Sequence, residues 1–163
     1  LDRIIKILVS VYVPYSTAIY PRNMAEFQVS NKKGIDSVFK YGAIALFFCV
    51  LCIIFIQFFS KKILFFLDPN LVMYSNWLQL FSVWLFFIII NNLIGYHYLN
   101  GLNKSSVFRN INIIYTIITL ILMIFGSAFY SFQGCIIAVL LGEIILTMML
   151  LFNIKLQKEI VLS

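Results

Sequence analysis

The sequence predicts an all-α membrane protein, a bundle of five transmembrane helices, and three observations predict it. Apolar residues fill 63% of the chain and charged residues only 11%, less than half the roughly one-quarter charged of ordinary soluble domains. The charges gather in a few short stretches and leave five apolar runs, each near the ~20 residues that cross a bilayer. In the stretch 77–108, Trp77 and Trp84 lie toward one end of the apolar run, with Tyr96 and Tyr98 at its other end. Such amphipathic rings suit the two membrane–water interfaces. The net charge of +6 is therefore read as Lys and Arg collected in loops on the cytoplasmic side and not as a nucleic-acid footprint.

The first span covers residues 4–20, with Lys6 near its start and Pro14 inside it. Proline kinks a helix, which membrane helices tolerate where neighbours re-satisfy the freed carbonyl. Leu1 already lies in this apolar segment, so the chain is expected to continue a longer protein. Residues 21–40 carry Arg22, Glu26, Lys32, Lys33, Asp36 and Lys40, and Asn31-Lys32-Lys33-Gly34 is a turn signal. Two readings stand there: a loop entering a short amphipathic surface helix capped by Asp36 or Ser37, or a solvated connector. The second span covers 38–59 and is expected to end at Ser60-Lys61-Lys62. A short interfacial helix at 63–67 follows, closed by the Asp68-Pro69-Asn70 turn.

The third span, 77–96, gathers amides at Asn91 and Asn92, passes Gly95 and ends in a polar loop from Asn100 to Ser105. The fourth covers 111–130. A tight connector, Ser131-Phe132-Gln133-Gly134, leads to the fifth at 134–153. One face then carries the 21–40 loop, Lys104, Arg109, Lys155 and Lys158, and the other Arg3, Lys61 and Lys62. The excess places the C-terminus in the cytoplasm.

Few residues here bear chemistry. Glu143 stands mid-helix among apolar neighbours, where a charge is costly; it must face the bundle interior, be protonated or have a partner. It is a candidate for a substrate- or proton-linked site, or a helix–helix hydrogen bond beside Gly142. Lys6 is its cationic counterpart, able instead to snorkel to the interface. Asn91 and Asn92 either line a polar cavity or bond across helices. His97 lacks a carboxylate or thiol beside it and reads as packed or solvated rather than catalytic. Cys49 and Cys52 form a C-x-x-C inside an apolar helix, where free thiols pack as small hydrophobes. No nucleotide loop, zinc-protease motif or nucleophile elbow is present in the sequence. Transport needs none of these.

Three stretches carry a family resemblance. They are Ala18-Ile19-Tyr20-Pro21-Arg22 with Met24-Ala25-Glu26 and Lys32-Lys33-Gly34; the Ile94-Gly95 to Asn103-Lys104 junction; and Phe132-Gln133-Gly134 through Ala138 to Gly142-Glu143. In this order the chain resembles the C-terminal part of Wzx-type polysaccharide flippases, within the multidrug/oligosaccharidyl-lipid/polysaccharide exporter superfamily. It departs from their pattern at Gly142, where Ser is usual, and at Asp68-Pro69-Asn70, which replaces a glycine-containing turn. The resemblance implies that residues 1–163 are the last five helices of a two-lobed transporter of about twelve helices. Its implied activity is translocation of undecaprenyl-diphosphate-linked O-antigen or polysaccharide repeat units across the bacterial inner membrane, in lipopolysaccharide biosynthesis.

On that reading Lys6, Asn91, Asn92 and Glu143 are substrate-pathway candidates, and Arg22 and Lys40 attract an anionic headgroup at the cytoplasmic mouth. The expected partners are the lipid-linked oligosaccharide, membrane lipids and other polysaccharide-assembly membrane proteins. No cofactor, metal or nucleic acid is expected, and the chain is read as a transporter, not an enzyme. Two rivals remain. A multidrug exporter of the same superfamily would carry a small cation, and an integral-membrane O-antigen polymerase or glycosyltransferase would need a large outer loop with catalytic residues.

Overall fold

The computed structural model describes residues 2–162, with side chains from 4 to 155. It is built of helix α1 (Asp2–Val29), α2 (Asn31–Leu67), a 3-10 turn (Pro69–Tyr74), α3 (Ser75–Asn92), a π-helical segment (Leu93–Leu99) and α4 (Ser105–Leu162). Among the described residues, four helical stretches are long and apolar enough to cross a membrane.

Residues 21–40 are neither a loop nor a separate surface helix. α1 runs through Pro21 to Val29, and only Ser30 leaves the helical conformation, at φ −166° and ψ 150°. Its hydroxyl accepts from the Lys33 backbone N–H at 3.2 Å, the capping bond that starts α2. Asn31-Lys32-Lys33-Gly34 is thus the first turn of a helix. Neither Asp36 nor Ser37 caps it. The sharp reversal is fixed by Phe27, buried against Gly34 and Gly101, whose missing side chains leave room for its ring.

α2 has 37 residues, so it is about 55 Å long and outruns a hydrocarbon core of ~30 Å. Its uncharged stretch between Lys40 and Lys61 matches that core at ~1.5 Å per residue. Ser60-Lys61-Lys62 does not end the helix, and residues 63–67 continue it instead of forming a separate piece. The Asp68 turn is realised: Asp68 Oδ1 accepts from the Asn70 N–H at 2.9 Å.

α4 is broken once, at Ser131, with φ 50° and ψ −129°. Gly126 and Gly134 meet there, so closely that a Cβ on Gly126 would lie 2.6 Å from the Gly134 carbonyl oxygen. In an unbroken helix these residues would be about 12 Å apart. Further from the break Gly142 packs on Thr119, and Ile111 joins Leu146 and Leu150 in one apolar cluster. The two arms of α4 therefore run antiparallel. A larger core, from Ile5 and Cys49 through Leu64, Leu78, Leu85 and Ile89 to Leu140, joins α1 to α4. Outward the bundle is also apolar, with Phe47, Phe58 and Phe66 of α2 and Ile124, Phe125 and Phe129 of α4 exposed, a surface suited to lipid.

Candidate functional site

Among the described residues, polar side chains cluster at three places between helices, and two of the clusters meet at the consecutive residues Asn91 and Asn92. Seven residues separate Trp84 from Asn91, which puts both on one face of α3 toward α4. There they find Glu143, only 7% exposed. Glu143 Oε1 accepts from Trp84 Nε1 at 3.2 Å and from the Tyr115 hydroxyl at 3.0 Å. Oε2 accepts from Asn91 Nδ2 at 2.7 Å. Thr147, one turn beyond Glu143, donates its hydroxyl at 2.8 Å to Asn91 Oδ1 and to the Glu143 carbonyl. The carboxyl group is held entirely by neutral donors in these bonds. Gly142 allows the approach, since a side chain there would run into Thr119.

Asn92 faces the other way, toward α1. Its Oδ1 accepts from Tyr12 OH at 2.8 Å and from Ser16 Oγ at 2.9 Å. Ser16 also lies 2.9 Å from Nε2 of His97, whose Nδ1 is 3.0 Å from Asn23 Nδ2. Ser37 of α2 donates to Asn23 Oδ1 at 2.8 Å and closes the chain of bonds. As oriented, the Asn23 amide donates to Nδ1, so the ring proton sits on Nε2 and is given to Ser16. His97 is fully buried: it is a packed residue with both nitrogens partnered, and a solvated interface position is excluded.

The π segment is what joins Asn92 and His97. At the α-helical 100° per residue, positions five apart stand about 140° from each other. With i→i+5 bonding they come round to one side, so both reach Ser16.

The third cluster is a clasp between α2 and α3. Gln57 Nε2 donates to the Gln79 carbonyl at 2.9 Å, and Gln79 Nε2 returns the bond to the Gln57 carbonyl at 2.8 Å. Ser60 and Ser82 accept from the same two amides.

Of the residues singled out in the sequence, the structure brings Asn91 and Glu143 into contact and places Asn92 in the neighbouring cluster. Each asparagine bonds across helices. Lys6 lies exposed on α1, six residues before Tyr12. Arg22 and Lys40 share one ring, with the Arg22 guanidinium carbon 5.0 Å and Lys40 Nζ 5.9 Å from the Tyr41 centroid. Cys49 is buried in the core. Among the described residues no three His, Cys, Asp or Glu side chains gather as a metal site would require.

Sequence reasoning missed Tyr12, Ser16, Asn23, Ser37, Tyr115 and Thr147. The signal was present for three of them: Tyr12, Ser16 and Asn23 fall at i, i+4 and i+11, one face of a helix that is otherwise largely apolar. Reading 21–40 as a connector hid it. No family model matches the chain, and no curated protein or solved structure is significantly similar to it.

Proposed function

We propose that the chain is part of a multi-pass transporter that moves an undecaprenyl-diphosphate-linked O-antigen or polysaccharide repeat unit across the bacterial inner membrane. In this reading its helices cross the membrane five times, the two arms of α4 counting separately. They form one lobe's share of a two-lobed, roughly twelve-helix protein, with the C-terminus in the cytoplasm. The observation that carries the proposal is the pair of buried polar clusters set back to back on Asn91 and Asn92. Amide, hydroxyl, phenol and indole groups that bond to one another across four helices are the groups that exchange partners with sugar hydroxyls. Moving helices would open these bonds and substrate would replace them, so no buried polar group need be left unpaired. Lys6 would lie along the same route, and Arg22 with Lys40 would draw anionic headgroups to the mouth.

Glu143 also favours a second reading, the small-cation exporter. A buried carboxylate flanked by the Trp84 indole and the Tyr115 phenol offers both ion pairing and a cation–π surface.

One strain separates the two. The chain, expressed with the upstream helices of a twelve-helix flippase, goes into a bacterium deleted for its own O-unit flippase. A restored lipopolysaccharide ladder on a gel supports translocation of the lipid-linked sugar. No ladder, with the protein in the inner membrane and drug resistance raised, supports the exporter instead. Neither ladder nor resistance defeats both.

A further inference from the structure

We propose that the outer crevice between α1 and α2 binds an anionic phospholipid, its phosphate on Arg22 and Lys40 and an acyl chain along the crevice. The crevice holds about 240 Å³. Leu8, Val11 and Tyr15 wall it on one side and Ala45, Phe48 and Cys52 on the other. It opens outward: Val11 is 70% exposed and Phe48 61%. The polar cluster around Asn92 lies on the inner side, closed off by Tyr12. An occupant therefore enters from the bilayer, and a membrane lipid is what the bilayer supplies.

The two walls lead directly to the two cations. Leu8, Tyr15 and Arg22 follow one another at seven-residue spacing and so share a face of α1. Tyr41, Ala45, Phe48 and Cys52 stand at i, i+4, i+7 and i+11 and share a face of α2. Where the apolar walls end, the Tyr15 hydroxyl donates to the Tyr41 carbonyl at 2.8 Å and ties the helices together. Just beyond, the Tyr41 ring holds both the Arg22 guanidinium and the Lys40 ammonium. From Leu8 to Arg22 is about 21 Å along the helix axis, more than the ~15 Å depth of one leaflet's hydrocarbon. A chain seated in the crevice thus brings its phosphate to the level of the cations.

The charge at that end is of the matching sign. Residues 21–40 carry Arg22, Lys32, Lys33 and Lys40 against Glu26 and Asp36. Glu26 and Asp36 stand one turn from Arg22 and Lys40, on the side toward Ser30. A phosphate approaching from the crevice meets the cations first. The site gives these cations a resident lipid and does not depend on the translocation reading.

The test uses the chain in nanodiscs of phosphatidylcholine containing a minor share of phosphatidylglycerol, with retained lipids read by native mass spectrometry. Phosphatidylglycerol should be retained in clear preference to phosphatidylcholine. Arg22→Gln with Lys40→Gln should lower that retention on the order of tenfold to thirtyfold, from the two surface cations lost. Val11→Trp fills the crevice from an exposed position. It should reduce retention with both cations in place. Equal retention of the two lipids, or an unchanged double variant, overturns the proposal. So does displacement by glycerol phosphate alone, which would mean an anion site without a chain. Preferential displacement by undecaprenyl phosphate overturns it too, since the crevice would then belong to a carrier lipid.

Discussion

Asn91 donates to Glu143 Oε2 at 2.7 Å across the α3–α4 interface, the shortest of the hydrogen bonds on that carboxyl group. With Trp84 and Tyr115 on the other oxygen, three donors converge on one acid. The electrostatic cost of an acid among apolar helices is met here by dipoles.

Glu143→Gln keeps the shape of the side chain but replaces one acceptor oxygen with a donor. At least one of Asn91, Trp84 and Tyr115 then faces a donor and loses its partner, at about 1–3 kcal/mol. Thermal unfolding in detergent should register this as a lower midpoint. A double-mutant cycle of Asn91→Ala with Glu143→Ala isolates the single bond. Its coupling is expected at about 0.6 kcal/mol, the average for hydrogen bonds between membrane helices, and no more than about 1.7 kcal/mol. A coupling near zero would mean that the two side chains find other partners when separated.

The reversal at Ser131 is decided by geometry. The position of a Cβ on Gly142 lies 3.3 Å from Thr119 Cβ, close to the Cβ–Cβ separation a disulfide needs. In a straight helix these residues would be about 34 Å apart. With Cys49, Cys52 and Cys135 replaced by Ser, Thr119→Cys with Gly142→Cys should cross-link within one chain under mild oxidation. Failure to cross-link, with both thiols reactive toward a small maleimide, would argue for a straight α4.

Helical architecture was legible in the sequence because hydrophobic run length is a local property. The uncharged stretch of α2 between Lys40 and Lys61 is visible without any structure. The reversal at residues 131–134 was equally plain, since Ser131 to Gly134 follow a span that is already long enough. What misled was the polar segment 21–40. Its Pro21, its charges and its Asn-Lys-Lys-Gly run mimic a loop, yet Phe27 finds Gly34 and Gly101 only in three dimensions, and that packing outweighs local composition. The site was legible in the same uneven way. Asn91, Asn92 and Glu143 are conspicuous because amides and acids are rare in apolar runs. Ser16 and Ser37 gain meaning only from partners 81 and 14 residues away. Nothing in the spacing of Asn92 and His97 announces that the helix between them winds as π.

Phe27 should be the most sensitive apolar side chain of the α1–α2 hinge. It is buried against two glycines on different elements, so Phe27→Ala opens a cavity that neither can fill. A loss of about 3–5 kcal/mol is expected, read as a lowered unfolding midpoint. Ser30→Ala, which removes only the capping bond, should cost about 1 kcal/mol. If the two variants prove equally damaging, the cap and not the ring sets the reversal.

His97 offers a check on the inner cluster that is independent of any activity. The Asn23 amide can present its nitrogen to Nδ1 only if that ring atom carries no proton. The same orientation leaves Asn23 Oδ1 free to accept from Ser37. Nitrogen-15 NMR of the chain labelled at histidine should accordingly find the Nε2–H tautomer near neutral pH, with Nδ1 shifted as an acceptor. His97→Ala removes a partner from both Ser16 and Asn23. Ser16 keeps its bond to Asn92, but the Asn23 donor left unsatisfied costs about 1–3 kcal/mol and the space of the buried ring adds a cavity cost, so the variant's unfolding midpoint should fall further than that of Glu143→Gln. Ser37→Ala should leave the tautomer mixed, because the Asn23 amide is then no longer held in one orientation. An Nδ1–H tautomer in the unmodified chain would reverse the direction of the whole hydrogen-bond chain: Asn23 turned over, Ser37 accepting, and Ser16 donating to His97 instead of to Asn92.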